Sequence, residues 1–357
     1  MRPPVLLIHG TWSNPDAMSN FLVTSNGTDD PRFFVRPLDY SRPLKDTVVA
    51  TAPNYPTPFA KIKGNSLGFR YNVDDIKAQI SEHLFEFKTG INPISAPVAG
   101  IQVDIVAHSL GGDITLFLAS SPLNSGAYVR DDNFGQGDVH KMISIDTPYL
   151  GSPLATQLLQ GYFGGTSNDC ISTALALMGE FSLANVTFAT LPPASGAVYD
   201  LRGDGLGYGM SLDLVQITNP LFISPHPPLP TALIAAYTNT SNLSSVSANL
   251  LAANIVYYCG TYAGNPLALN LTTTGWPNVF DGALNDAIVP LNSQLNRMNG
   301  LSTTNILSGS LFPGYIHTTG ITHLGFNPPT VLDAGSVPAQ VIALLNTPVT
   351  SAAYNLF

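Results

Sequence analysis

The chain is predicted to fold as α/β, with a mostly parallel central sheet of about six strands flanked by helices. Three observations predict it. Short apolar runs of strand length recur along the chain, separated by turn residues and by stretches of helical periodicity. One of these runs, ending Val103-Asp104-Ile105-Val106, breaks at once into a cluster of small residues and then an apolar helix pattern, the strand-turn-helix signature of a parallel sheet. At 357 residues the chain is long enough to bury a full core as one large domain or a domain with insertions.

The core strands are read at Val5 to Ile8, Phe33 to Pro37, Gln102 to Val106, Met142 to Asp146, Ala232 to Tyr237 and Asn305 to Phe312. Val73 to Phe87 reads as a helix with Val73, Ile76, Ile80, Leu84 and Phe87 on one face and Asn72 as its N-cap. Further helices are read from about Gly112 to Ser120 and from about Ser336 to Leu345. Residues 1–150 and 230–357 form the sheet core, and the first strand begins so early that the N-terminus is minimal and leaves no room for a signal peptide.

Residues 151–229 lose the alternating strand and helix rhythm. Apolar stretches Leu154 to Tyr162 and Ile171 to Leu183 flank a glycine-rich turn at Gly161 to Gly165. They read as a helical cap or lid, with ordinary core helices as the alternative. A second insertion spans about 238–280, where Val246, Leu250, Leu251 and Ile255 stand at helical spacing. An apolar wall built from such segments suits a greasy ligand, and Trp12, Phe163 and Met178 are the lining candidates.

The chemistry-bearing segment is Ala107-His108-Ser109-Leu110-Gly111-Gly112. A strand entering a turn too tight for flanking side chains, followed by a helix, exposes Ser109 Oγ beside free N–H groups and a positive dipole end. Ala107 stands where G-x-S-x-G has its first glycine, and alanine is small enough to pass. The alternative is a serine N-cap on a buried turn. The first strand ends in His9-Gly10-Thr11. Acyl transfer needs N–H donors aimed at the oxyanion, and the backbone N–H groups of Thr11 and Leu110 are the two candidates, with the Thr11 hydroxyl as a third. His9 reads as a structural residue holding that loop.

These segments, together with Ile145-Asp146-Thr147-Pro148-Tyr149-Leu150-Gly151-Ser152-Pro153-Leu154-Ala155, Val198-Tyr199-Asp200-Leu201 and Asn285-Asp286-Ala287-Ile288-Val289-Pro290-Leu291-Asn292-Ser293-Gln294, resemble the bacterial lipase and esterase branch of the α/β-hydrolases, which includes relatives of inositol deacylases. The resemblance implies a Ser, Asp, His triad in that chain order. Asp286 matches the family's acid. Asp281 is the reserve, and Asp146 ends the strand that carries the acid in hydrolases placing it one strand sooner. Of the seven histidines, His9 and His108 lie inside motifs, His83 on the amphipathic helix, His140 before a strand and His226 in a proline-rich run. His317 and His323 remain. Gly320-Ile321-Thr322-His323-Leu324-Gly325-Phe326 resembles the family's histidine loop, so His323 is the expected base.

Composition fits this reading. A formal charge of −9 with 14 basic residues and no basic run argues against nucleic acid as a partner. Charged residues make up 10% and hydrophobic ones 45% of the chain, a balance resembling secreted hydrolases, with a cytosolic origin as the alternative. No apolar run reaches membrane-spanning length. Cys170 and Cys259 both fall in the insertions and are expected to pair as one disulfide tying them together. With no C-x-x-C and no His/Cys cluster at ligand spacing, neither a metal nor another cofactor is expected. The resemblance thus implies a monomeric lipase or carboxylesterase acting on apolar acyl esters, with interfacial contact to lipid. A hydrolase of solid polyesters is the second reading and a non-catalytic binding protein on the same fold the third.

Overall fold

A computed structural model describes residues 2–11, 13–24, 27–41, 69–89, 100–119, 128–153, 155, 197–201, 228–238, 280, 282–286, 288–297, 304–317 and 330–357. The cap expected at 151–229 and the insertion at 238–280 lie almost entirely outside these residues, as do Trp12, Phe163, Met178, Cys170, Cys259, Asp281 and His323.

The described elements are β1 (Val5–Ile8), β2 (Val35–Leu38), helix α1 (Phe69–Thr89), β3 (Val103–His108), helix α2 (Leu110–Ala119), β4 (Val139–Ile145), β5 (Pro230–Tyr237), β6 (Leu311–Pro313), helix α3 (Val337–Asn346) and β7 (Asn355–Leu356). They make one seven-stranded sheet in the order β2-β1-β3-β4-β5-β6, parallel along this path, with β7 pairing antiparallel to the start of β5.

Both faces are covered, and the two-residue side-chain period of a strand decides which residue goes where. Leu6 and Ile8 of β1, Val103, Ile105 and Ala107 of β3, and Leu233 and Ala235 of β5 pack with Val73, Ile76, Ile80 and Leu84 of α1 and Ile114 and Phe117 of α2. The intervening residues Val5, Leu7, Val106, Ala232, Ile234 and Ala236 pack with Val337, Val341, Leu344 and Leu345 of α3 on the other side. A charged residue closes this second layer. Lys141 of β4 is 3% exposed, and its Nζ donates to the carbonyls of Leu345 (2.8 Å) and Thr347 (3.1 Å) at the C-terminal end of α3, where the helix dipole favours a cation.

Most boundaries move by one to three residues from the sequence reading, and three differences have a clear physical cause or consequence. Helix α1 starts at Phe69, so Asn72 is a buried residue inside it rather than its N-cap. The sequence offers no proline or glycine between Phe69 and Thr89 to stop the helix short of Gly68. The sixth strand shrinks from Asn305–Phe312 to Leu311–Pro313, because Ser308–Ser310 turns as a 3-10 helix and Asn305 is tied through its backbone to the Asn355 side chain instead of to a ladder. His140 lies within β4, where its Nδ1 bonds Asp104 at 2.7 Å.

Strand order places the site. The chain passes from β1 outward to β2, then returns through α1 to β3 on the opposite side of β1. The carboxyl ends of β1 and β3 therefore flank the point where strand order reverses, the crevice that open parallel sheets use for ligands.

Candidate active site

Ser109 directly follows β3 and directly precedes α2. Its φ of +53° is in the left-handed region, unusual for a residue with a side chain and a mark of strain held by its surroundings. The backbone N–H of Ser109 donates to Ile145 O (2.9 Å) and its carbonyl accepts from Gly112 N–H (3.0 Å), fixing the turn from β4 on one side and the helix on the other. Glycine is required on the inside of the turn. A Cβ at Gly111 would lie 2.7 Å from His9 O and 2.6 Å from Ile8 Cγ2, and one at Gly112 would lie 2.1 Å from Thr147 Oγ1. These contacts let α2 start against β1 and the loop after β4 at a distance no side chain allows.

The loop after β1 presses on the serine from the other side. A Cβ at Gly10 would sit 2.8 Å from Ser109 Cβ and 3.3 Å from Ser109 Oγ. His9 holds the loop: its Nδ1–H donates to Gly10 O at 2.9 Å and its ring stacks flat on Tyr40 at 4.2 Å, while the Tyr40 hydroxyl donates to His9 O at 2.7 Å. Burial lowers the His9 pKa to about 4, so the ring is neutral. Thr11 follows, and its Oγ1 is buried without a hydrogen-bonding partner among the described residues.

Asp286 and His317 meet beyond the ends of β5 and β6. Asn285 bridges to Thr238, just past β5, which brings Asp286 to the end of that strand despite the intervening insertion. The Asp286 carboxylate is fully buried and saturated with donors. Its Oδ1 accepts the N–H groups of Ile288 (2.9 Å) and Val289 (2.6 Å), and its Oδ2 accepts Gln294 Nε2–H (3.0 Å) and His317 Nδ1–H (2.8 Å). The His317 backbone N–H also donates to Asp286 O at 2.7 Å, so side chain and main chain fix the ring together. The His317 ring lies 4.7 Å from that of His108, the neighbour of Ser109. His323, the base expected from the resemblance, lies outside the described residues; the imidazole that Asp286 holds is that of His317.

Two neighbours complete the arrangement. His108 is buried with neither ring nitrogen bonded to any described residue, and burial, then the nearness of His317 and His9, pushes its pKa well below the ordinary value and keeps it neutral. Asp146, at the end of β4, has φ +50° and is fully buried; its Oδ1 accepts Ala236 N–H at 2.7 Å. One donor atom each from His108, Asp146 and His317 lie within 4.8 Å of one another, the one grouping of metal-type donors among the described residues. Asp286 occupies His317 Nδ1 and the Ala236 N–H occupies Asp146 Oδ1, while Asp146 Oδ2 and both His108 nitrogens find no hydrogen-bonding partner among the described residues.

A sheet parallel along its β2-β1-β3-β4-β5-β6 path and entered at β1, a strained serine between its third strand and the next helix, a buried aspartate after the fifth strand and a histidine after the sixth define one architecture. The chain has the α/β-hydrolase fold. No protein-family model and no curated protein matches it. Among solved structures it is similar to a lipase of Staphylococcus hyicus (11% identity, TM-score 0.48, covering 96% of this chain and 95% of that one). It is likewise similar to lipase 1 of Pelosinus fermentans (14%, 0.45, 98% and 100%) and to the mature lipase BlEst2 of Bacillus licheniformis (14%, 0.43, 97% and 93%). Among the described residues no helix is long and apolar enough to cross a membrane.

Sequence reasoning left His317 and His323 as the two remaining histidines, preferred His323 on the resemblance, and gave Gln294 no role. The signal for His317 was its place only a few residues after the last parallel strand, where a turn at Gly314 brings the chain back toward β5 through the bond from Gly314 N–H to Tyr237 O (2.7 Å). Gln294 carried no recognisable signal, because its work depends on reaching Ala236, Val289 and Asp286 at once.

Proposed function

We propose that the protein is a serine hydrolase of carboxylic esters, with Ser109 as nucleophile, His317 as base and Asp286 as the acid. The observation that carries this reading is the buried His317–Asp286 pair next to the His108–Ser109 turn at the strand-order switch of the sheet. With Nδ1–H committed to Asp286, the imidazole keeps Nε2 as the acceptor for a serine proton. Asp286 steadies the tautomer and then the imidazolium. Its four donors fix the buried side chain in place, so that it orients the imidazole through Nδ1–H.

In the reaction, Ser109 Oγ attacks the ester carbonyl while His317 Nε2 takes its proton. The oxyanion is received by the N–H of Leu110, which as the first residue of α2 has no intrahelical acceptor, and by the N–H of Thr11 on the loop against Ser109. His317 then gives the proton to the leaving alkoxide. A water attacks the acyl-serine by the same route, restoring Ser109. Apolar acyl esters are the proposed substrate class. The charge-poor composition supports a protein working outside the cytosol.

The test is labelling by an alkyl phosphonate probe followed by a panel of nitrophenyl esters of increasing chain length. The expected result is a single adduct on Ser109 and hydrolysis abolished by Ser109→Ala with the fold retained. Labelling elsewhere, or an active Ser109→Ala enzyme, overturns the assignment.

A further inference from the structure

Three buried donors converge beside Ser109 without using their full bonding capacity. His108 is the last residue of β3 and pairs with Ile145 in the ladder, so Asp146, directly after β4, stands next to it, and His317 reaches the same spot from beyond β6. One donor atom from each lies within 4.8 Å of the other two, and the three residues are 1%, 0% and 4% exposed. Both His108 nitrogens and Asp146 Oδ2 find no hydrogen-bonding partner among the described residues, and with Nδ1 bound to Asp286 the nitrogen of His317 left for a ligand is Nε2. Unmatched polar atoms are costly in a protein interior, and a cation among the three would take up a lone pair from each. The sequence concealed this grouping because its members stand at 108, 146 and 317, far outside the spacing of a local ligand motif.

We propose that His108, Asp146 and His317 form a binding site for a divalent late transition ion of the zinc class, and that the bound ion switches the hydrolase off. The binding stands on the geometry alone; the switching rests on the triad reading above. Two imidazoles and one carboxylate suit Zn²⁺ or Co²⁺, whereas Ca²⁺ and Mg²⁺ take oxygen ligands throughout. Ligand atoms around tetrahedral zinc stand about 3.4 Å apart for bonds of about 2.1 Å, so donors now within 4.8 Å need to close by at most about 1.4 Å, a movement within reach of side-chain rotation. The supporting bonds are those of a metal site. His317 donates its other ring N–H to Asp286 at 2.8 Å, the carboxylate–histidine–metal arrangement that orients a ligating imidazole, and Asp146 is steadied through Oδ1 by Ala236 N–H at 2.7 Å, which leaves Oδ2 as the ligand. With both carboxyl groups ionised, Asp146 and Asp286 together balance one divalent charge. An ion on Nε2 occupies the lone pair that would receive the Ser109 proton, so attack on an ester stops until the ion leaves.

The test titrates chelator-treated protein with Co²⁺, followed by its visible absorption, and then competes with Zn²⁺, Ca²⁺ and Mg²⁺ in separate samples. The expected result is one Co²⁺ per chain with the intense band of a tetrahedral site, displaced by Zn²⁺ and left in place by Ca²⁺ and Mg²⁺ at the same concentration. His108→Phe and Asp146→Asn each remove a ligand from a different strand end. Each is expected to weaken binding at least about tenfold, since even the partners standing behind a ligand contribute that much. Thermal melts show that a variant is folded before metal is added; His108→Gln and Asp146→Gly, the second suited to the φ of +50°, stand in for one that is not. In the ester assay the Zn²⁺ concentration that halves the native rate is expected to match the one that half-fills the site, with chelator restoring the rate. Absence of 1:1 binding overturns the proposal. Binding unchanged in either folded variant does so too, because the ion would then sit elsewhere, on other histidines or on Cys170 and Cys259. A native enzyme that keeps its full rate with the ion bound overturns the switch. If the protein hydrolyses no ester, the triad reading fails, and the metal titration still decides the site.

Discussion

Gly10→Ala probes the packing of the first loop against Ser109, the proposed nucleophile, and its size follows from one contact. The added Cβ would lie 2.8 Å from Ser109 Cβ and 3.0 Å from His108 Nδ1. Carbon atoms rest about 3.5–4.0 Å apart, so loop and serine must separate by about 1 Å. Neither side yields easily. The loop is clamped by the His9–Tyr40 stack, and Ser109 by Ile145 and Gly112. The φ of Gly10 lies outside the left-handed region, so the methyl brings a steric cost and no backbone one. A displacement of that size at a reacting centre costs about a hundredfold in rate, or about 2.7 kcal/mol of transition-state stabilisation. Overpacking costs the fold about 1–3 kcal/mol. With about 2.1 cal/mol/K of unfolding entropy per residue, this corresponds to a melting temperature lower by about 1–4 °C for the 357-residue chain. Steady-state kinetics on an ester and a thermal melt measure the two effects separately. A Gly10→Ala enzyme that keeps more than a third of native kcat/KM would refute the inferred contact.

His317→Ala is expected to be as inactive as Ser109→Ala, and His323→Ala to retain most activity, because triad members act as a unit; the opposite order in single-mutant kinetics returns the role of base to His323. Lys141→Met leaves Asp104 and the last carbonyls of α3 without their cation, and is expected to cost about 3–5 kcal/mol, or about 5 °C in melting temperature, with activity per folded molecule unchanged. Acid should weaken the fold through His9: between the unfolded imidazole value near 6.5 and the native value of about 4 the unfolded chain binds a proton that the native one refuses, so stability falls as pH drops through that window, by about 3 kcal/mol in full. His9→Asn should shrink the difference in melting temperature between pH 7 and pH 5; an unchanged difference would mean that other groups carry the acid sensitivity.

The strands were legible where a local pattern sufficed. Val5–Ile8 is apolar on both faces because helices cover both sides of the sheet, and its limits can be read from four consecutive buried residues. The turn at Ser109 was legible because the glycines at 111 and 112 stand beside the serine in the sequence, although the contacts that demand them come from Ile8, His9 and Thr147, far along the chain. Asp286 announced itself through the apolar residues that follow, whose N–H groups it binds. The choice of histidine was not local. His317 is selected by a bond to Asp286 across 31 positions and by a ring contact with His108, neither of which leaves a mark on neighbouring residues. The short β7, pairing with β5, and the limits of the sixth strand were hidden for a similar reason, since Asn355 and Asn305 decide each other's place from 50 positions apart.

The left-handed backbone at Ser109 has a price in robustness. Ser109 and Asp146, on the adjacent strands β3 and β4, each carry a positive φ that a side chain disfavours, and the main chains of the two turns are stitched together through Ser109 N–H and Ile145 O. Glycine in place of Ser109 would relieve about 1 kcal/mol or more of this strain and give a protein more heat-resistant and catalytically inert. Selection for thermal endurance alone would therefore favour glycine here, so under the proposed function the strained turn is what a hydroxyl at this position costs the scaffold.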